Sequence, residues 1–257
     1  MAIIKSTKEI EKIREGAIIL AEIMEKIEEA IAPGKNTWEI DMLAEKLILA
    51  CGGVPAFKGY GGDSSNPFPA TICASVNNEV VHGIPLQKVI LKDGDLFKVD
   101  IGMKYKGFFT DMARTFAVGK ISIEAQKLLD VTAQSFWEGI QQMGAGKMLS
   151  GYSKAVQKYV EKQGFSVVRN LVGHGVGKKL HEDPQIPNYY YKHYADLRLK
   201  AGMVLALEPM INAGAFETKI GADGWTFVTS DGSLSAHYEN TIVVTETGVE
   251  VLTVLAH

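Results

Sequence analysis

Apolar residues recur at spacings of three and four along four stretches of the chain, which is the pattern of one face of an amphipathic helix. The first stretch begins after Ser6, whose spacing to Glu9 is that of a capping box, and it ends before Pro33. The pattern predicts helices over about residues 6–32, 36–51, 122–144 and 150–162.

Shorter runs rich in β-branched and aromatic residues predict strands between and after these helices. They cover about residues 71–76, 79–81, 96–115, 203–207 and 240–244, the third of them as a hairpin. Residues 57–68 are rich in Gly, Pro, Ser and Asn and predict a loop.

Two short patterns occur twice in the same order. Residues 32–35 and 144–147 each join a long helix to a shorter one, and residues 91–96 and 199–204 share Leu, Lys and Gly at matching positions. Continued without a gap, this second match aligns Asp100 with Glu208. We therefore predict a single α+β domain built from a duplicated helix-helix-strands unit, with halves of about 1–120 and 121–257 and both acids in a central cleft.

The hairpin predicts a close pair of carboxylates. With a turn over residues 104–107 or its central pair, Asp100 lies directly opposite Asp111, and opposed Cβ atoms are ~5 Å apart. Two carboxylates at that separation require a cation between them or a proton on one of them. A slip of one residue would instead send one Asp to the other face of the sheet, and the hairpin alone leaves both alternatives open.

Composition narrows the class of protein. With 257 residues, 46% of them apolar, the chain can bury a large core. The net charge of −3 and the scattered Lys and Arg residues give no basic stripe for nucleic acid. The charged first helix and the lack of a long apolar run argue against a signal peptide and a membrane span, so we expect a cytoplasmic protein.

The second half adds three residues with chemical potential. His174 lies between two glycines, which would let its backbone approach a ligand closely, although no nucleotide-binding glycine motif is present. Glu208 ends one apolar strand and Glu239 begins another. Taken singly, each acid is explained as a charge at a solvated sheet edge.

Taken together, the five residues indicate a metal centre. Four carboxylates and one imidazole suit divalent first-row metals, and the set is too acidic for one ion to balance. Two ions ~3.5–4 Å apart would lower the pKa of a bridging water toward ~7, which is typical of a hydrolase. The zincin motif and the serine-hydrolase elbow are both missing from the sequence. The predicted ligands are Asp100, Asp111, His174, Glu208 and Glu239.

These residues belong to a series of motifs that resembles the type I methionine aminopeptidases. The motifs are Val-Val-His-Gly-Ile-Pro (80–85), Val-Asp-Ile-Gly (99–102), Thr-Asp-Met-Ala-Arg-Thr (110–115), Gly-His-Gly-Val-Gly (173–177), His-Glu-Asp-Pro (181–184), Glu-Pro (208–209) and Glu-Asn-Thr (239–241). The resemblance covers nearly the whole chain and implies the "pita-bread" fold. It also implies two divalent ions (Mn, Fe, Co or Zn), with Asp111 and Glu239 bridging both, Asp100 on one, and His174 with Glu208 on the other.

The resemblance assigns substrate-binding residues as well. It places His82 near the scissile peptide and makes His181 a donor to the carbonyl oxygen, while Glu208 is our candidate for proton transfer. A methionine pocket would be lined by Tyr60, Phe68, Cys73 and Trp225, for which ordinary core packing is the alternative. Residues 63–67 depart from the family pattern and leave the placement of Phe68 open. We expect His193 and His257 on the surface and His237 in a strand beside the site.

The activity that the resemblance implies is removal of the initiator methionine by hydroxide attack on the first peptide bond, with a small second residue preferred. Its partners would be N-terminal Met peptides and nascent chains; we expect a monomer, and contact with the ribosome is left open. One alternative is an X-Pro aminopeptidase or dipeptidase of the same fold, which usually has a further N-terminal domain for which a helix starting at Ser6 would leave no room. Another is a non-catalytic binding protein, which would be expected to have lost metal ligands.

Overall fold

The four predicted helices are present in the structure, a computed structural model that describes residues 4–61, 65–193 and 196–255. They are α1 (Thr7–Ala30), α2 (Thr37–Ala50), α3 (Ile123–Ile140) and α4 (Ser150–Lys162). Ser6 and Glu9 form the predicted capping box, and the Asn36 side chain accepts a hydrogen bond from the third residue of α2. α3 ends about one turn before the glycines expected to stop it, because residues 141 and 142 form a turn instead. None of the described helices is long and apolar enough to cross a membrane.

The strands of the described residues are β1 (Val54–Pro55), β2 (Ile72–Val76), β3 (Glu79–Val81), β4 (Leu96–Tyr105), β5 (Phe108–Ala117), β6 (Ser166–Val167), β7 (Gly173–Gly175), β8 (Glu182–Ile186), β9 (Val204–Leu207), β10 (Met210–Asn212), β11 (Thr218–Ile220), β12 (Phe227–Thr229), β13 (Ser235–His237), β14 (Glu239–Val244) and β15 (Val249–Val251). They form one large sheet and two small ones. The large sheet has the order β1-β4-β5-β14-β9-β7-β8, with β2 also paired to β4 and β15 to β14, and the small sheets have the orders β13-β10-β6 and β11-β12-β3.

Each pair of helices covers one half of the large sheet. α1 and α2 pack against β2, β4 and β5 in a cluster that includes Leu20, Ile40 and Val99. α3 and α4 pack against β9 and β14, where Phe136 and Leu205 are buried. Because side chains alternate along a strand, residues next to these core positions share the opposite face of the sheet.

Matching hydrogen bonds recur in the two halves, as the predicted duplication requires. In each half, the glycine that follows the longer helix donates to the leucine of the repeated Leu-Lys pattern, and the glycine of that pattern donates to the end of a central strand. The pairs are Gly34–Leu91 and Gly146–Leu199, both at 2.8 Å, and Gly94–Val118 and Gly202–Val244, at 2.8 and 2.9 Å.

The predicted hairpin register is wrong by two residues. β4 and β5 pair Tyr105 with Phe108, so that Asp100 lies opposite Ala113 rather than Asp111. The cause is the turn, which consists of the next two residues, 106 and 107, with φ of 46° and 87°, as a tight two-residue hairpin turn requires. A shift of two residues keeps both acids on one face, where they are diagonal neighbours.

This turn generates a prediction about stability. Gly107→Ala should lower the free energy of unfolding by roughly 1–2 kcal/mol, because an L-residue is strained at this positive φ although no atom lies near the added Cβ. Gly248→Ala is the control, since its Cβ also enters open space but its φ is not in the left-handed region. Urea unfolding of both variants measures the difference. Equal losses would show that the turn conformation is not the cause.

Candidate active site

Strand pairing brings three of the predicted metal ligands into one row. Ala113 of β5 lies opposite Asp100 on one side and opposite Glu239 on the other. Asp111 is two residues along β5 from Ala113 and therefore points to the same face. The row crosses β4, β5 and β14, so the positions of these carboxylates are fixed by backbone hydrogen bonds.

The other two ligands come from the second half of the sheet. β14 pairs with β9 up to Asn240 and Leu207, which brings the next residue, Glu208, level with Glu239. His174 lies opposite Ala206 on the far side of β9. Its Nε2 atom is 3.6 Å from Glu208 Oε1 and 4.0 Å from Asp111 Oδ2.

The orientation of His174 suits it to bind a cation. Its Nδ1 lies 3.0 Å from the Gly175 carbonyl oxygen, and because that oxygen can only accept, Nδ1 carries the ring proton. Nε2 then presents a lone pair to the carboxylates. Burial lowers the pKa of His174 to about 3, so the ring is neutral at pH 7.

The four carboxyl groups strain one another electrostatically. Burial raises the pKa of Asp100 to about 7. Burial also raises the pKa values of Asp111, Glu208 and Glu239, and the neighbouring carboxylates raise them further. Their charged forms therefore need a compensating positive charge.

The free atoms of this cluster fit a divalent ion. Within the described part of the chain, no hydrogen-bond partner reaches the buried atoms Asp100 Oδ1, Asp111 Oδ1 and Glu239 Oε1. Ligand atoms of Asp111, His174 and Glu239 lie within 4.8 Å of one another. Carboxylate oxygens and one imidazole nitrogen are a donor set for first-row divalent metals.

All eleven residues singled out from the sequence line one cavity of about 290 Å³. Phe57 and Leu180 also line it, and the sequence analysis missed both. Leu180 directly precedes the His181 motif, which was the available signal for it, whereas Phe57 lies in a loop without periodicity. The eleven are Tyr60, Phe68, Cys73, His82, Asp100, Asp111, His174, His181, Glu208, Trp225 and Glu239.

An apolar wall closes one side of the cavity. The rings of Phe68 and Trp225 meet edge to face with centroids 5.3 Å apart, and Cys73 is buried beside them. The residues before Phe68 do not displace it from this wall: Trp225 Nε1 donates to the Asn66 carbonyl at 3.0 Å and braces the segment. Residues 63 and 64 of the unusual segment lie outside the described residues.

Two histidines face the cavity between this wall and the carboxylates. His82 follows β3 with a φ of 59°, and burial lowers its pKa to about 4. The His181 ring packs edge to face on that of His174 at 4.4 Å, and its Nδ1 lies 2.6 Å from the Tyr60 hydroxyl. Burial lowers the pKa of His181 as well, so both residues are neutral at pH 7.

Of the remaining histidines, the two within the described residues lie where we expected them. His237 is buried at the end of β13, with Nε2 3.8 Å from Glu208 Oε2 and 4.0 Å from Glu239 Oε2. His193 is exposed, and His257 lies outside the described residues.

The glycines beside His174 serve the neighbouring backbone and not a ligand, which corrects their interpretation. A Cβ on Gly173 would lie 2.5 Å from the Ala206 carbonyl oxygen, and one on Gly175 would lie 2.3 Å from that of Asp183. β7 can therefore pair closely on both sides only with glycine at these positions.

Comparisons with known proteins agree with the geometry. The model of metallopeptidase family M24 matches residues 11–246. Methionine aminopeptidase 1 of Bacillus subtilis is 50% identical over 253 residues, which cover 98% of this chain and 99% of that protein.

Solved structures show the same fold. The crystal structure of a methionine aminopeptidase from Thermotoga maritima matches with a TM-score of 0.94 and 41% identity, covering 99% of this chain and all of that one. A prolidase from Pyrococcus furiosus matches with a TM-score of 0.79 and 23% identity, over 66% of its own length, which shows the fold alone. The predicted α+β pita-bread fold is confirmed.

The raised pKa of Asp100 predicts how metal-free protein responds to pH. In the folded metal-free protein this carboxyl group keeps its proton up to about pH 7, whereas in the unfolded chain it ionises near pH 4. The folded protein therefore loses stability as pH rises through that window. The asparagine in the Asp100→Asn variant does not titrate, so the variant keeps the stability that wild type loses in this window. In chelator near pH 8 the variant should melt at least ~2–4 °C above wild type, and with saturating Mn²⁺ the order should reverse.

Melting curves of both proteins from about pH 5 to about pH 8 check this, with Asp130→Asn on the surface of α3 as control. The buried histidines titrate in the opposite sense in both proteins, so the difference between the two reports the charge of Asp100, including its effect on the pKa values of Asp111, Glu208 and Glu239. If Asp100→Asn melts below wild type in chelator near pH 8, the ionised Asp100 does not destabilise the metal-free cluster.

Proposed function

Because the chain belongs to metallopeptidase family M24, and relatives that match over their full length are methionine aminopeptidases, we propose that it removes the initiator methionine from peptides and nascent polypeptides. The observation that carries the proposal is a single cavity in which an apolar pocket adjoins the cluster of carboxylates and histidine. The enzyme is a metalloaminopeptidase, and we place its activity in the cytoplasm, where nascent chains occur.

Asp100, Asp111, His174, Glu208 and Glu239 would hold the metal. We propose two divalent ions, because four carboxylates exceed the charge of one, with Mn, Fe, Co or Zn all compatible with these donors. Bound there, the metal would act as a Lewis acid and would lower the pKa of water toward neutrality.

Glu208 is placed to move a proton. Glu208 lines the cavity beside the other predicted ligands, where its carboxylate can take a proton from the attacking water and deliver it to the leaving amine. Its backbone carbonyl accepts a hydrogen bond from Asn188 Nδ2 at 3.0 Å, which fixes the residue after β9. The side chain therefore acts from a rigid support.

His181 would stabilise the developing oxyanion. This role requires the Tyr60 hydroxyl to donate to Nδ1, which leaves the proton of the neutral ring on Nε2. That N–H can donate to the carbonyl oxygen of the scissile bond. His82, also neutral, would lie on the other side of the peptide and orient it.

The apolar wall selects the first residue. Phe68, Cys73 and Trp225 with Tyr60 would surround a methionine side chain, whose thioether packs well against aromatic edges. The preference for a small second residue comes from the likeness to the relatives. The substrates would be N-terminal Met peptides and nascent chains, and we expect a monomer.

The alternative with an observation in its favour is an X-Pro peptidase, since a prolidase shares the fold. We expect Met-Gly-Met-Met to be cleaved with Mn²⁺, Co²⁺, Fe²⁺ or Zn²⁺, and Ala-Pro-Phe to be left intact, because the pocket suits methionine. Excess chelator should abolish turnover, since the attacking water needs the metal. Mass spectrometry of the products measures both. Cleavage of Ala-Pro-Phe alone would favour the X-Pro aminopeptidase activity.

His181→Ala should lower kcat roughly 10²- to 10³-fold with little change in KM, because an oxyanion donor acts mainly in the transition state. His193→Ala, which removes an exposed imidazole, is the matched control and should keep wild-type kinetics. Steady-state kinetics with Met-Gly-Met-Met give both constants. An unchanged kcat in His181→Ala would remove this residue from the mechanism.

A further inference from the structure

We propose that Lys5 is a positioning residue for His181, acting through a buried ion pair with Glu182 that holds the turn at residues 178–182. The inference rests on the proposed role of His181 as donor to the substrate carbonyl. It links the segment before α1 to the active site, although Lys5 is 176 residues from His181 in the sequence.

The ion pair is deeply buried. The Lys5 Nζ and Glu182 Oε2 atoms are in contact, and each of the two side chains is 1% exposed. The second carboxylate oxygen, Oε1, accepts hydrogen bonds from the backbone amides of Lys178 and Lys179 at 2.6 and 3.0 Å. Glu182 thus closes the turn that precedes it, and Lys5 supplies the opposite charge.

The backbone of the N-terminal segment is fixed against the second half of the sheet. The Lys5 amide donates to the Gly202 carbonyl at 2.8 Å, and Ile4 forms an antiparallel bridge with Met203. A Cβ on Gly202 would lie 2.9 Å from the Lys5 carbonyl oxygen, so this segment needs the glycine there.

The Lys5 side chain then passes under the turn. A Cβ on Gly177 would lie 2.6 Å from Lys5 Cε, and the φ of Gly177 is 143°. Two glycines therefore make room for one lysine, which indicates a specific fit. Nζ reaches a carboxylate whose other hydrogen bonds, among the described residues, come from the amides of the turn.

The effect reaches His181 because it is the residue before Glu182. Its ring has two fixed neighbours, the Tyr60 hydroxyl and the edge of His174, and its backbone is held by the turn. Without Lys5, the carboxylate of Glu182 would be buried without its counter-charge and the turn would rearrange to solvate it. A displacement of ~1 Å in a catalytic group can cost a factor of ~10² in rate.

A second ion pair between the same two segments provides a matched control. Lys178 Nζ lies 2.9 Å from Glu9 Oε1, and the Lys178 side chain is 53% exposed. Exposed pairs contribute little to structure or energy, so Lys178→Met should leave kcat within about twofold of wild type.

The test is a double-mutant cycle on the metal-loaded, full-length protein with Met-Gly-Met-Met. Lys5→Met should lower kcat roughly tenfold with little change in KM, while the dissociation constant for Mn²⁺ measured by calorimetry stays within about twofold. In a His181→Ala background, the same change should alter kcat by less than about twofold, because the group that Lys5 positions is already missing.

Each outcome decides the inference. An unchanged kcat in Lys5→Met, or an equal loss in both backgrounds, would overturn it while leaving the proposed activity intact. If His181→Ala itself keeps full kcat, the proposed role of His181 fails first and the inference with it. Should Lys5→Met fail to fold, Glu182→Gln replaces it in the cycle, since it keeps an acceptor for both turn amides but loses the charge.

Discussion

Four carboxyl groups share one buried face of the large sheet, where strand pairing places Asp100, Asp111 and Glu239 and brings Glu208 level with them. Burial makes their charged forms costly, and the pKa of Asp100 rises to about 7 as a result. The fold tolerates this cost because helices on the opposite face bury the alternate residues of the same strands. Metal binding and stability are therefore coupled through the same atoms.

Register is the structural variable that decides whether this cluster exists. A shift of one residue in β4 would turn the Asp100 side chain into the helix-facing core. The observed register differs from the predicted one by two residues and therefore keeps Asp100 beside Asp111. The left-handed turn at Lys106 and Gly107 sets this register for the first hairpin. In β7, the close backbone approach at Gly173 and Gly175 does the same for His174. Backbone geometry thus precedes the chemistry of the site.

Local signals in the sequence predicted the local parts of the fold. The capping residues Ser6 and Asn36 placed the starts of α1 and α2, and the two Leu-Lys patterns predicted the duplication, in which matching hydrogen bonds recur in both halves. The motifs predicted residues that the structure gathers around one cavity. Local signals did not predict which two residues form the turn of the β4–β5 hairpin, because several two-residue turns were compatible with the residues at 104–107.

Contacts between distant segments could not be predicted from the sequence for a different reason. Phe57 and Leu180 belong to one buried cluster in the cavity wall, but neither lies in a periodic pattern that would mark the face it occupies. Lys5 and Glu182 are far apart in the sequence, and each alone reads as a surface charge. Such pairs follow only from the complete packing of both halves.

The duplication also explains why the two halves contribute unequally to the site. The Thr115 hydroxyl bonds to both the amide and the carbonyl of His237, and that of Thr241 bonds in the same way to Asp111. These two matching pairs of hydrogen bonds, together with the match of Val118 to Val244, show that Asp111 and His237 occupy equivalent positions in the two halves. One is a predicted metal ligand, and the other is a buried imidazole beside Glu208 and Glu239. A symmetric scaffold has therefore acquired an asymmetric set of donors, in which equivalent strands present a carboxylate in one half and an imidazole in the other.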